Sequence, residues 1–320
     1  MHTPDHPAPG GGSPARWTSS AKTGVGTALS NKSSVWLTLS HGIFNEIYYP
    51  RIDQASIRDM GLIVTDGAAF FSEEKRDCDS KTQALSDGVP AFRLLNTCRD
   101  GRYRIEKLII SDPQRDTVLQ QVHFIAQQGD LSSYHLYVLL APHLGNHGGG
   151  NTGWVDEFEG RPILFARREN SSLALACSAA WLKRSVGFVG SSDGWQDLKA
   201  HKQITAEYTR AENGNVALIG EIDLSASQGK FTLALGFGSE PGEAARNAIA
   251  SLHGGFDNVQ RDYVAGWQES IESHSSLHKN GTGAHDLSKT SLAVLRTHES
   301  KTAPGAFIAS LSIPWGSSKG

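Results

Sequence analysis

The chain has 320 residues and a formal net charge of −3, with 30 Lys and Arg against 33 Asp and Glu. Its basic residues do not cluster, which argues against a nucleic-acid partner, and no run approaches the roughly 18 apolar residues of a membrane span. The 38% hydrophobic content suffices for a large core, but 34 glycines and 12 prolines break it into short pieces, as strands require and helical bundles do not.

Residues 1–15 are rich in Pro and Gly and are expected to be disordered or loosely attached. They show neither a basic start nor an apolar run, so no signal peptide is read there and the cytoplasm is the expected compartment. From Val35 the pattern turns strand-like. Val35, Leu37 and Leu39 alternate with Trp36 and Thr38. Similar segments follow at 61–65, 91–96, 103–110, 117–125, 134–141, 163–167, 173–177, 186–189, 203–209, 216–224 and 231–237. Turn chemistry separates them, as at Arg99-Asp100-Gly101-Arg102 and Glu212-Asn213-Gly214-Asn215, where Asn-Gly is a strong hairpin signal. About a dozen strands without intervening helices imply a large, mainly β, two-sheet sandwich. Cys78, Cys98 and Cys177 form no CxxC pair and read as free thiols.

The character changes at Ser239. Pro241 suits a first helical turn, Ala244 to Leu252 are good helix formers, and Gly254-Gly255 stops them. A second helix is expected from about Phe256 to Ser273, with Phe256, Val259, Tyr263, Trp267 and Ile271 on one face. After a linker at 273–284, an amphipathic helix spans Asp286 to Glu299 and carries Leu287, Val294 and Leu295 on one side. That last helix, with the tail 307–320, reads as the opening of an all-helical domain whose remainder is absent.

Several motifs invite a chemical reading. Gly148, Gly150 and Gly153 spell GxGxxG, but a dinucleotide site needs a helix next, and the sequence continues as a strand. It is read as a loop that binds no nucleotide. None of the histidine spacings suits a zinc site, so no metal or other cofactor is expected. His41, His123, His135 and His143 are expected to be structural. A sugar isomerase would need a His and a Glu converging in a cleft, for example His143 with Glu106. Glu73-Glu74-Lys75-Arg76-Asp77 reads as a solvated turn. Trp195, within Asp193-Gly194-Trp195-Gln196-Asp197, offers an aromatic face for a sugar, but a place in the core or at a domain contact is the simpler reading.

Several blocks resemble bacterial members of glycoside hydrolase family fifteen, the glucoamylases and glucodextranases. They include Thr23-Gly-Val-Gly-Thr-Ala-Leu-Ser30, His41-Gly-Ile-Phe-Asn-Glu-Ile-Tyr-Tyr-Pro-Arg-Ile-Asp53, Asp59-Met-Gly-Leu-Ile-Val-Thr-Asp66 and Phe71-Ser-Glu-Glu-Lys-Arg-Asp77. Ala141-Pro-His-Leu-Gly-Asn146, Ser192-Asp-Gly-Trp-Gln-Asp197 and Ile308-Ala-Ser-Leu-Ser-Ile-Pro-Trp-Gly316 extend the resemblance over nearly the whole chain.

The resemblance implies a galactose-mutarotase-like antiparallel super-sandwich over 16–272 that ends in linker helices. The first helix of an incomplete α/α toroid would follow over 285–320. Such enzymes release glucose from α-glucans with inversion, using an acid and a base that both belong to the toroid. No residue here matches either, so no catalytic residue is assigned. Trp315, in Ile-Pro-Trp-Gly, is the one expected sugar contact. The expected partners are an α-glucan, met through the intact enzyme, and the toroid itself. The alternatives are a free-standing carbohydrate-binding sandwich, or a mutarotase-like isomerase marked by a His and a Glu facing each other on a concave sheet.

Overall fold

A computed structural model describes residues 6–274 and 287–312. The chain forms β1 (Gly24–Thr27), β2 (Trp36–Ser40), β3 (Ile43–Tyr48), β4 (Ala55–Thr65) and β5 (Phe71–Glu73), then one helical turn, α1 (Glu74–Asp77). A meander comes next, with β6 (Cys78–Ser86), β7 (Val89–Cys98), β8 (Tyr103–Ser111) and β9 (Thr117–Ala126). It leads into β10 (His135–Pro142), β11 (Asn151–Phe158), β12 (Arg161–Arg168), β13 (Ser171–Cys177) and β14 (Trp181–Phe188). Helix α2 (Gly194–His201) precedes β15 (Arg210–Gly214), β16 (Val216–Ile222) and β17 (Lys230–Gly238). The chain then turns helical, with α3 (Pro241–Gly254), α4 (Phe256–Ser273) and α5 (Leu287–Thr297).

The strands build two sheets. Eight strands run in the order β1-β2-β3-β4-β10-β16-β14, with β5 paired to β4, and nine run β15-β11-β12-β13-β17-β9-β8-β7-β6. Every pairing between these strands is antiparallel. Alternate side chains of the two inner faces meet in one core, with Leu37, Phe44 and Val138 from the first sheet against Leu94, Val122 and Leu235 from the second. The outer face of the nine-stranded sheet is covered in part by α3 and α4, whose Ala244, Ala248, Tyr263 and Trp267 pack on Ala91, Ile110, Leu119 and Ala234. Gly236 permits this approach, since a Cβ there would lie 2.3 Å from the Ala244 carbonyl oxygen.

A buried polar knot ties the sheets together. Lys107 Nζ lies 2.7 Å from Glu74 Oε1, with both side chains fully buried, and donates to the Gly42 carbonyl at 2.5 Å. Asn96 Nδ2 donates to the same carbonyl at 2.9 Å and to Glu74, while Glu74 Oε2 accepts from Leu62 N at 3.1 Å. The run at 73–77 is therefore no simple solvated turn: Glu74 points inward because Lys107 and Asn96 wait for it. Gly42 has φ +74°, and a Cβ would collide with the Asn96 side chain, so this turn demands glycine.

Other expectations also need correction. Residues 6–15, expected to be loose, are strapped to the sandwich. Pro7 bridges Arg210, Ala8 N donates to Arg210 O at 2.7 Å, and Ser13 N donates to Val189 O at 2.7 Å. A Pro-rich strip suits this, because few of its backbone groups need partners. The segment 203–209 is irregular, and its place is taken by β15 one step on. Asn213-Gly214 does not close a hairpin, because β15 and β16 belong to different sheets; it marks the crossing between them, with Asn213 at φ +52°. The Arg99–Arg102 turn does join β7 to β8 as a hairpin. The three cysteines are free thiols, and Cys78 and Cys98 face each other across β6 and β7. Among the described residues no helix is long and apolar enough to cross a membrane.

Candidate functional site

Two surfaces stand out once the sandwich is assembled. The first is the seam where α5 lies on the sandwich edge formed by β1 and β7. The helix docks through small residues, Ala293 and Thr297, both buried. Its larger apolar side chains are left largely uncovered: Leu287 is 74%, Val294 42% and Leu295 59% exposed, joined by Phe307 at 54%. Among the described residues, four of the five large hydrophobic side chains found exposed thus sit on α5 and the segment after it. A groove of about 380 Å³ runs beneath, between Val25, Val89 and Phe92 of the sandwich and Ala293, Val294 and Leu311 of the tail. The tail is pinned at two points. Leu311 is buried among Trp17, Trp36 and Tyr48, and the Lys301 ammonium sits 4.9 Å over the Trp36 ring and donates to Ser33 O. Burial pushes the Lys301 pKa down to about 7, against the pull of Asp116.

The second surface lies on the outer face of the nine-stranded sheet. Outward positions on β9 run Leu119, Gln121, His123; on β8, Ile110, Leu108, Glu106; on β17, Ala234, Thr232, Lys230; on β7, Ala91, Arg93. On β7, β9 and β17 the change from apolar to polar falls on one line, where the cover of α3 and α4 ends, and on β8 it comes one row later, after Leu108. Beyond it is a cleft of about 520 Å³, with Asp257 of α4 on its rim. Register places Glu106, His123 and Lys230 side by side on three neighbouring strands. Glu106 is held by Arg104 at 2.9 Å. Burial, then Lys230, lowers the His123 pKa, so its ring is neutral at pH 7.

The motif residues distribute differently from the pairing of His143 with Glu106. These two are not brought together: His143 directly follows β10 of one sheet and Glu106 lies in β8 of the other. The histidine beside Glu106 is His123. His143 is fully buried, with its ring edge-on to Trp17 at 4.6 Å. His135 is structural, bound through Nδ1 to Glu221 at 2.7 Å. Trp195 is engaged on several sides: its Nε1 donates to Glu73 at 3.0 Å, Phe71 meets it edge-on at 5.9 Å, and Arg76 lies over it at 5.8 Å. It packs against α2's contact with the sheet and offers no free platform.

The GxGxxG glycines serve packing. Asn151 Nδ2 gathers the carbonyls of His147 at 2.8 Å and Gly148 at 3.0 Å, so the loop turns acceptors inward where a phosphate would need donors. A Cβ at Gly148 would lie 2.2 Å from Ala15, and one at Gly153 would strike Val186 and Leu218. After Gly153 the chain continues as the rest of β11, not as a helix. Trp315 lies outside the described residues. The polar grouping of Arg93, Gln121 and Lys230 carries no signal in the sequence, because its members are far apart until strand order is known.

Fold and surfaces define a class: an antiparallel super-sandwich with capping helices and an exposed apolar stripe on α5. Residues 8–271 match the family described as glucodextranase, domain N, and the chain belongs to that family. Over 311 residues it is 37% identical to a glucoamylase of Clostridium sp. (strain G0005), covering 97% of this chain and 44% of that protein. Its fold matches the crystal structure of a bacterial glucoamylase complexed with acarbose, with a TM-score of 0.92 and 36% identity over 98% of this chain and 46% of the other. The chain spans less than half the length of both relatives.

Proposed function

We propose that these residues form the non-catalytic support of a glucoamylase- or glucodextranase-like α-glucosidase, with 16–272 as the sandwich and its linker helices and 285–320 as the first stretch of an α/α toroid. The observation that carries this reading is the orientation of α5. A helix that buries Ala293 and Thr297 and exposes Leu287, Val294 and Leu295 is shaped for a second apolar neighbour. The relatives' names supply the substrate class, an α-glucan, and Trp315 is the residue proposed to meet it. The free thiols favour a reducing compartment, the cytoplasm.

Two measurements test this. Purified chain should release no glucose from maltose, starch or dextran above a protein-free control; turnover abolished by a single Asp or Glu substitution within the chain would defeat the proposal. The part of the Clostridium glucoamylase outside the stretch that matches this chain, produced separately, should bind the chain, and the double variant Val294→Asp/Leu295→Asp should lose that complex. Unchanged binding by the variant would place the interface elsewhere.

Hydrogen exchange gives a second check. α5 shares little buried surface with the sandwich, so its amides are expected to label fast while those of β10 and β17 label slowly. Protection of Leu287–Leu295 equal to that of β17 would show the helix to be integral to the sandwich.

A further inference from the structure

The polar half of the nine-stranded sheet's outer face has the chemistry of a ligand site rather than of a plain solvated surface. Its polar side chains stand in two cross-strand rows: Glu106, His123 and Lys230 in one, and Arg93, Gln121 and Thr232, with the apolar Leu108 between them, in the next. Lateral spacing between strands is about 4.8 Å and the step between rows about 7 Å, which is the scale of the hydroxyls on one or two pyranose rings. Arg93 and Lys230 can only donate hydrogen bonds, Glu106 and Asp257 can only accept, and Gln121, Thr232 and neutral His123 can do both. A phosphate or carboxylate ligand would be opposed by Glu106 and Asp257, and a cation by Arg93 and Lys230. A neutral polyol uses all of them. Leu108 adds an apolar patch for the C–H face of a sugar, and the 520 Å³ cleft lies within the usual range for small-ligand sites. Arg104 holds the Glu106 carboxylate in place before any ligand arrives.

We propose that this cleft is a carbohydrate-binding site that holds one or two glucose units of an α-glucan through Glu106, His123, Gln121 and Arg93. The choice of glucan rests on the support-domain function proposed for the chain; the polyol chemistry does not. The site lies on the outer face of the nine-stranded sheet and α5 on the β1–β7 edge, so the cleft and the toroid seam are separate surfaces.

The test is a titration of the 320-residue chain with maltotriose, followed by NMR shift changes and calorimetry. Binding with a Kd of about 0.1–1 mM is expected. It should weaken at least about tenfold in the double variant Gln121→Ala/His123→Ala, with an unchanged melting temperature, since both side chains lie on the open sheet face. Binding that survives the double variant, or none up to saturating sugar, would overturn the assignment. So would preferential capture of inorganic phosphate at the same residues, which would make the cleft an anion site. Accelerated α/β exchange of glucose that the variant abolishes would make it an isomerase site and overturn the binding role. Failure of the sugar titration leaves the complex with the rest of the glucoamylase untouched, and loss of that complex leaves the titration untouched, so the two readings fail separately.

Discussion

The variant Lys107→Ala is expected to lose about 3–5 kcal/mol of folding stability and to melt roughly 10 °C below the parent. Lys107 and Glu74 are both fully buried, 2.7 Å apart, and no solvent reaches either group. Removing the ammonium leaves the Glu74 carboxylate with only Asn96 Nδ2 and Leu62 N as donors, and the Gly42 carbonyl with Asn96 Nδ2. An uncompensated buried charge costs several times more than the lost pair contributed, because the partner cannot return to water. The double variant Lys107→Met/Glu74→Gln should recover most of the loss, since neither site then holds a charge. Circular-dichroism melting decides it: a loss below about 1 kcal/mol, the ordinary cost of an average substitution, would show that the knot does not hold the sheets together.

The second large effect is a loss of stability in mild acid that traces to His143. Burial, reinforced by Arg58, pushes its pKa from 6.5 down to about 3. Between those two values the unfolded chain binds a proton at this ring and the folded protein does not. Stability therefore falls as pH drops from about 6.5, by about 1.4 kcal/mol per unit at most, and the loss levels off below about pH 3 at roughly 5 kcal/mol. His135 acts in the opposite sense: its hydrogen bond to Glu221 raises its pKa, so its contribution is complete below 6.5 and fades as pH rises. Urea midpoints measured between pH 7.5 and 4.5 should decline in the parent and stay nearly level in His143→Leu. Parallel declines in the two proteins would assign the acid sensitivity to other groups.

Much of the architecture is readable from local pattern. Alternation locates most of the long strands, and the shift to Ala-rich helical spacing after Ser239 locates α3 and α4 close to their ends. The errors have specific physical causes. Short strands such as β1 and β5 offer too few residues for a period to emerge. Glu74 looks like a surface acid until β8 brings Lys107 beneath it. Asn213-Gly214 carries hairpin chemistry, but the chain uses its left-handed backbone to change sheets. The cleft is the least legible feature. Spacing alone lets Glu106 be matched with His143, yet its neighbour across the strands is His123, and only the order β17-β9-β8-β7 shows which histidine that is.

The strap of residues 6–13 has a consequence for solubility. β15 is the border strand of the nine-stranded sheet, and a bare border offers unpaired amides and carbonyls to any passing chain, the starting point of strand-by-strand aggregation. Here the molecule fills that vacancy with its own N-terminal strip: Pro7 and Ala8 lie along Arg210, and His6 O accepts from Thr209 N. Proline in the strip supplies no amide hydrogen with which to recruit a further strand. At the opposite border, β6 presents Asp79 and Lys81 to solvent, so a docking strand would have to desolvate charge. One border is sealed by covering and the other by charge, which lets a sheet nine strands wide remain a finite object.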